Sequence, residues 1–448
     1  MSTSNKKYWI KSGMYSFFEK GSGFVFNFGS FYMLVRSLSQ EDMGIWVLFI
    51  AVCSFLEVSR IGLIQNGLVK YISSDGETSY KEILTASFLL NILLTIAYIF
   101  FLYIGGQFLS NLWNAEVLTT LFLIYAATTV VLMPLNQFNY IQQANMDFQG
   151  IFWAGFAKQA LFFFYVLYLF VFNIPFGLPD LAVFQIIAFG AGLIIAYFFA
   201  KPYLRFSKSI DWAWVKKLLD FGKYSVGTNL SSMLYKSMDK MMLGSMVSGA
   251  AVAIYEIAIK VTNLLEIPTL SAAPVIFPKS AQNAAKDGLL AAASLYEKSV
   301  GLILALILPG ILVVQLIPEL IITLIAGDQY LDTISLLRFV VLFSLFTPFL
   351  YQTGITLESV GKPKINFYFT VVSFFLNFLL NAIFISIFGI VGAAYGTLVT
   401  YFIVFCAGQY MLRKLVGVET GNIFKNIINF YKQGFSFVKK QMPNTQPL

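Results

Sequence analysis

The chain has 448 residues, of which 58% are apolar and only 12% charged, and its mean hydropathy is +0.75. Soluble domains run near ~45–50% apolar and ~25% charged, so a polytopic α-helical membrane protein is the class that fits. The formal net charge is +8 and there is no histidine, which excludes Ser-His-Asp and Cys-His catalysis and histidine metal centres.

The N-terminus, MSTSNKKYWIKSGMYSFF, carries no signal-peptide cleavage pattern, so the first apolar stretch is expected to stay as a membrane helix. Windows of about 20 residues predict twelve spans, at 13–36, 43–68, 83–106, 117–143, 150–172, 180–200, 219–245, 250–276, 294–317, 333–357, 364–388 and 390–412. Spans this continuous exclude an outer-membrane barrel, whose strands alternate over about 10 residues. Cys53 and Cys406 fall inside spans and read as packing residues.

Cations fix the orientation. Alternate loops hold Lys6, Lys7 and Lys11; Lys70 and Lys81; Lys201, Arg205, Lys208, Lys216 and Lys217; Lys279, Lys286 and Lys298; Lys362 and Lys364; and a tail from Arg413 to Lys440. The intervening loops are short and nearly free of Lys and Arg. The positive-inside rule then places both termini in the cytoplasm. The basic balance is a topology signal and gives no reason to expect nucleic acid as a partner.

The chain also repeats itself. At an offset of 209 residues Gly13, Tyr15 and Ser16 meet Gly222, Tyr224 and Ser225. Ser39 meets Ser248, Glu57 meets Glu266, and Lys70 meets Lys279. Six spans separate the partners, so the halves share one topology and are expected to be related by an axis along the membrane normal. This predicts an N-terminal six-helix lobe at 1–213, a C-terminal six-helix lobe with a basic tail at 214–440, and a disordered end at 441–448. In the connector, 210–217 reads as a short interfacial helix with a Trp pair at headgroup depth. The tail reads either as an amphipathic helix on an anionic inner leaflet or as a frayed basic segment.

Charges inside the spans are the candidate functional groups, because each costs roughly 2.5–3.5 kcal/mol in hydrocarbon. Lys236, Asp239 and Lys240 lie at i, i+3 and i+4 on one helical face. One carboxylate cannot neutralise two ammonium groups, so this face is expected to line an aqueous lumen that receives an anion. Arg60, Lys158 and Lys260 are further candidates for the same ligand. Glu57, Glu256 and Glu266 are candidate coupling sites for H⁺ or Na⁺. For every one of these residues the competing reading is an ion pair that pins helix register, and for Glu256–Lys260 the i, i+4 spacing suits it. The polar run from Asn136 to Asn145 suits either sugar hydroxyls or helix-to-helix bonding.

The stretch Arg36-Ser-Leu-Ser-Gln-Glu-Asp-Met-Gly44-Ile-Trp46, with Ile61-Gly62-Leu63 and Lys70-Tyr71, resembles the start of bacterial polysaccharide-biosynthesis flippases. These are lipid-linked oligosaccharide (O-antigen type) flippases of the multidrug/oligosaccharidyl-lipid/polysaccharide exporter superfamily. Asp239-Lys240-Met-Met-Leu-Gly244 and Ala253-Ile-Tyr255-Glu-Ile-Ala258 resemble the start of their second lobe. The chain departs from the pattern at Ser59-Arg60-Ile61, where such proteins often have an acidic residue.

The resemblance implies an all-α fold of two pseudo-symmetric six-helix bundles in a multidrug-exporter-like V shape. It implies an undecaprenyl-pyrophosphate-linked oligosaccharide as cargo, carried across a bacterial cell inner membrane, with a polysaccharide polymerase complex as a further partner and no cofactor. No covalent bond changes in such a step, so no catalytic residue is assigned. Two rivals stand beside this reading. A multidrug/cation antiporter of the same superfamily would favour an acidic cavity, whereas the spans here hold five cations. A membrane glycan polymerase would need a large outer loop, and the outer loops are about a dozen residues or fewer. A lipid-II-type flippase stays open, although such relatives often carry two extra helices.

Overall fold

The computed structural model describes residues 3–441; for some helical residues, chiefly before Tyr15 and after Gln433, it describes the backbone alone. The described residues form helices without strands. They are α1 (Thr3–Ser37), α2 (Gln40–Arg60), α3 (Asn66–Leu112), α4 (Val117–Ala144), α5 (Gln149–Val171), α6 (Leu178–Ala200), α7 (Trp212–Met246), α8 (Gly249–Leu265) and α9 (Ile267–Asp287). After these come α10 (Leu289–Leu316), α11 (Pro318–Ile325), α12 (Thr333–Val340), α13 (Phe343–Ser359), α14 (Pro363–Phe388), α15 (Ile390–Val416) and α16 (Thr420–Gln441). Among the described residues nine stretches are long and apolar enough to cross a membrane. The further stretches expected to span, 13–36, 219–245 and 250–276, are helical as α1, α7 and α8–α9, but shorter or less apolar.

Several boundaries differ from the expectation. Spans two and three join almost without a break, through a π-helical turn at Ile61–Gln65 and a bend at Ser79 (φ −128°). The seventh span begins earlier than expected. The Trp pair is no separate interfacial helix, because Asp211 Oδ1 caps Ala213 N at 2.8 Å and starts α7 there. The pair is also split: Trp212 is exposed, while Trp214 is buried against Tyr71, ring centroids 5.6 Å apart. The eighth span breaks at Glu266, with Pro268 in the first turn of α9. The end expected to be disordered lies, beyond Gln441, outside the described residues.

Packing divides the chain into two units, one up to Ala253 and one from Ile254. This grouping by contact differs in kind from the repeat boundary at 213/214, since α7 packs along α2, the π turn and α3. Within the first unit α3 lies on α4, α4 on α6, and α5 on both α6 and α1. Close approach relies on small residues, as is usual where lipid gives no hydrophobic drive between helices. Gly222 of α7 faces the Leu63 backbone, and Gly62 faces Val226. Within the second unit α14 pairs with α15, where Gly392 meets the Phe384 carbonyl. A buried amide–hydroxyl set, Asn377 Nδ2 to Thr397 Oγ1 (3.1 Å) and Asn381 Nδ2 to Asn377 Oδ1 (3.2 Å), joins those helices.

The repeat is visible in the caps. Ser39 accepts the Asp42 N–H at 3.0 Å to start α2, and Ser248 accepts the Ala251 N–H at 3.1 Å to start α8. These two serines are equivalent under the 209-residue offset.

Candidate functional site

Arg60 closes α2, one residue before the π turn, and is wholly buried. Glu57 lies one turn earlier on the same face, its Oε1 3.6 Å from Arg60 Nε. Neighbouring helices complete the group. From α3, Asn91 Oδ1 accepts from Arg60 Nη1 at 3.0 Å, and the Tyr98 ring centroid lies 5.2 Å from the guanidinium. From α4, Asn136 Nδ2 donates to Glu57 Oε2 at 2.6 Å. Gln137 accepts from Asn91 at 2.8 Å and donates to Ser87 at 2.7 Å. The Tyr98 hydroxyl donates to the Leu56 carbonyl (2.7 Å) and touches Ser59 Oγ. Arg60 Nε and Nη2 and Glu57 Oε1 have no hydrogen-bond partner among the described residues. The charge of the pair sums to zero. Such a buried pair links α2 to α3 and α4 through Asn91 and Asn136 and adds little net stability, because desolvation offsets most of its attraction.

Much of the polar run in α4 has the same role. Gln142 donates to the Phe138 and Ala196 carbonyls, and Asn145 to Tyr80 and the Ile141 carbonyl. These side chains bind helix to helix.

Lys158 of α5 stands alone by comparison. It is half-buried beside Gly192 of α6, with its Nζ 6.0 Å from the Phe189 ring centroid. Among the described residues no carboxylate lies within 4 Å of it; Glu19 and Glu57 act on it from farther away. Glu19 belongs to α1 and rests against Gly155, one turn before Lys158. Sequence reasoning missed Glu19, because α1 and α5 meet only through tertiary packing.

The α7 trio differs in burial from residue to residue. Lys236 is exposed, Asp239 is buried at 8% and Lys240 is half-buried. Lys236 has no carboxylate within 4 Å among the described residues. Immediately beyond, the Trp113 indole donates to the Met241 carbonyl at 3.2 Å, and Gly244 sits against Leu48 and Trp113. Glu41, which sequence reasoning also left without a role, spans from α2 to the first turn of α8. Its carboxylate accepts the Gly249 N–H at 3.1 Å and the Ala250 N–H at 2.9 Å, a charge-assisted cap. There is no room for a side chain nearby: a Cβ on Gly44 would stand 1.7 Å from the Gly249 carbonyl.

In the second unit Lys260 pairs with Glu256 at 3.4 Å, the carboxylate buried and the ammonium partly exposed. Glu266 marks the break between α8 and α9. The structure thus joins Arg60 to Glu57 and Lys260 to Glu256, and among the described residues no carboxylate lies within salt-bridge distance of Lys158 or Lys236. Among the described residues no cluster of three acidic, Cys or His side chains could hold a metal ion.

A family described as "Polysaccharide biosynthesis protein" matches residues 33–335, well over half the chain. The chain belongs to that family. One relative is the probable low-salt glycan biosynthesis flippase Agl15 of Haloferax volcanii, 24% identical over 204 residues. That match covers 46% of this chain and 43% of Agl15, less than half of either protein. Among solved structures the lipid II flippase MurJ superposes with a TM-score of 0.74 at 15% identity, over 97% of this chain and 94% of that one. A multidrug resistance transporter of the MATE family gives 0.73 at 15% identity, over 94% and 96%. The fold is therefore the all-helical fold shared by these transporters.

Proposed function

We propose that this protein is a flippase that carries a lipid-linked glycan across the membrane, with no chemical change to the cargo. The finer reading is an undecaprenyl-pyrophosphate-linked oligosaccharide moved by alternating access across a bacterial inner membrane, both termini in the cytoplasm, for surface polysaccharide assembly. One observation carries it: Lys236 is exposed, about two-thirds of the way along the 35-residue helix α7, with no carboxylate within 4 Å among the described residues. An ammonium facing acyl chains would cost roughly 2.5–3.5 kcal/mol. In a water-filled lumen it is tolerated and offers a strong partner to a diphosphate. Lys240 and Asp239 share its face, and Lys158 provides a second cation of the same kind within the first unit. The family match and the flippase relative support the cargo class.

In this reading Lys236, Lys240 and Lys158 meet the anionic headgroup, with Asp239 setting the position of Lys240. Lys260 contributes from its pair with Glu256. Arg60 holds the bend of α2, and it reaches cargo only if Glu57 releases it. Glu57, Glu256 and Glu266 are the groups at which H⁺ or Na⁺ would act. A multidrug/cation antiporter fits less well, because Lys158 and Lys236, both cations, have no carboxylate within 4 Å among the described residues. A polysaccharide polymerase complex is the partner this reading calls for, since flipped units must be joined. Deleting the gene tests the reading: the lipid-linked glycan should accumulate on the cytoplasmic leaflet and surface polysaccharide should disappear. Unchanged surface polysaccharide, with no accumulated lipid-linked sugar, would refute it.

A further inference from the structure

The C-terminal helix α16 (Thr420–Gln441) is fastened to the second unit at its start and again near its middle. The buried Glu297 of α10 accepts the Glu419 N–H at 2.7 Å and the Asn422 side chain at 3.1 Å. Thr420 donates to Gln409 of α15 at 3.1 Å, and Gln409 donates to the buried Tyr296 at 2.6 Å. Eleven residues after Thr420, the Tyr431 hydroxyl donates to the Ala305 carbonyl of α10 at 2.6 Å. Gly301 lets α16 come close, facing Ile423 and Asn426.

Helical spacing then sorts the remaining side chains into stripes. Ile423, Ile427 and Phe430 turn toward the protein; Ile423 is fully buried and the other two half-buried. Phe424, Ile428 and Tyr431 form a second stripe at i, i+4 and i+7, and they are 57%, 54% and 42% exposed. Lys425, Asn429 and Lys432 form a third stripe beside it, all exposed. The exposed apolar stripe adjoins the α10 turns that carry the exposed Leu302 and Leu306, just past Lys298 where the apolar part of α10 begins. Exposed Arg413, Lys414 and Lys298 add to the positive charge at this end of the unit, and Glu419 is an exposed carboxylate among them.

We infer that α16 is a lipid-interface helix that recruits anionic phospholipid, with Phe424, Ile428 and Tyr431 in the acyl region and Lys425 and Lys432 at the phosphates. An apolar stripe continuous with a lipid-facing helix and edged by lysines has the chemistry of an interfacial helix. Each lysine near an anionic leaflet adds attraction for anionic headgroups. A rigid mount on α10 and α15 means that bound lipid is read by the whole second unit.

The test uses the full chain with Cys406→Ser and Ile428→Cys, labelled with bimane at 428; Cys53 is buried and stays unlabelled. The protein is placed in phosphatidylcholine vesicles containing brominated phosphatidylglycerol or brominated phosphatidylcholine at equal mole fraction. The anionic quencher should act at least about twofold more strongly. Lys425→Gln with Lys432→Gln should make the two quenchers equal. Phe424→Cys serves as a second label site should Ile428→Cys fold poorly. No quenching by either lipid would mean that this face meets water or a protein partner, and equal quenching with both lysines present would mean no headgroup selection. Either result overturns the inference.

Discussion

Replacing Arg60 by methionine isolates the energetics of the buried pair. The variant leaves Glu57 charged, with Asn136 as its hydrogen-bond partner at 2.6 Å and its side chain 23% exposed. Removing one partner of a buried pair costs about 3–5 kcal/mol, and the residual solvation and the Asn136 bond put Arg60→Met near the lower end. Glu57→Gln should be worse, because the guanidinium is fully buried and keeps only Asn91 and the Tyr98 face; a loss of about 4–5 kcal/mol is expected. The double variant Glu57→Gln/Arg60→Met removes both charges and should lose only about 0–1 kcal/mol, because charge desolvation disappears with them. The coupling energy is therefore large and of opposite sign to the single losses. Reversible unfolding in mixed micelles measures all three. If the double variant loses the sum of the two single losses, the pair is not a self-neutralising unit and its architectural role fails.

Three further expectations follow. Ser39→Ala and Ser248→Ala should each cost about 1 kcal/mol in the same unfolding measurement, and a clear inequality would argue against equivalent caps. Glu41→Ala removes a charged cap from α8 and should lower stability by about 0.5–2 kcal/mol, with the loss shrinking at high salt because Glu41 is exposed; a salt-independent loss would contradict the charge argument. Gly44→Ala forces a methyl against the Gly249 carbonyl, so Gln40→Cys or Ala250→Cys labels flanking the α2–α8 contact should react faster with aqueous reagent than in the chain with Gly44, and unchanged labelling would show that the contact gives way locally.

What could be read from the sequence was what lies within one helix. The Lys236–Asp239–Lys240 face, the Glu57–Arg60 spacing and the Glu256–Lys260 pair are all i+3 or i+4 relations, and the backbone alone dictates them. The serine caps were legible as one match in the repeat. Their partners were not. Asn91 meets Arg60 across 31 residues, Asn136 meets Glu57 across 79, and Glu41 caps Gly249 across 208. No local period marks such contacts. The helix ends were misread where backbone chemistry overrode hydropathy: Asp211 starts α7 ahead of its apolar stretch, and the π turn carries α2 on into α3. The tail was ambiguous in sequence because its docking stripe and its exposed apolar stripe look alike until Glu297 and Ala305 are placed against it.

The most direct test is flipping of a fluorescent polyprenyl-diphosphate oligosaccharide in proteoliposomes, read by protection of the label from a membrane-impermeant quencher. The unsubstituted protein should move the label between leaflets, and Lys236→Gln with Lys240→Gln should abolish movement while the protein remains folded and inserted. Flipping by that variant at the unsubstituted rate would contradict the claim that these ammonium groups receive the cargo.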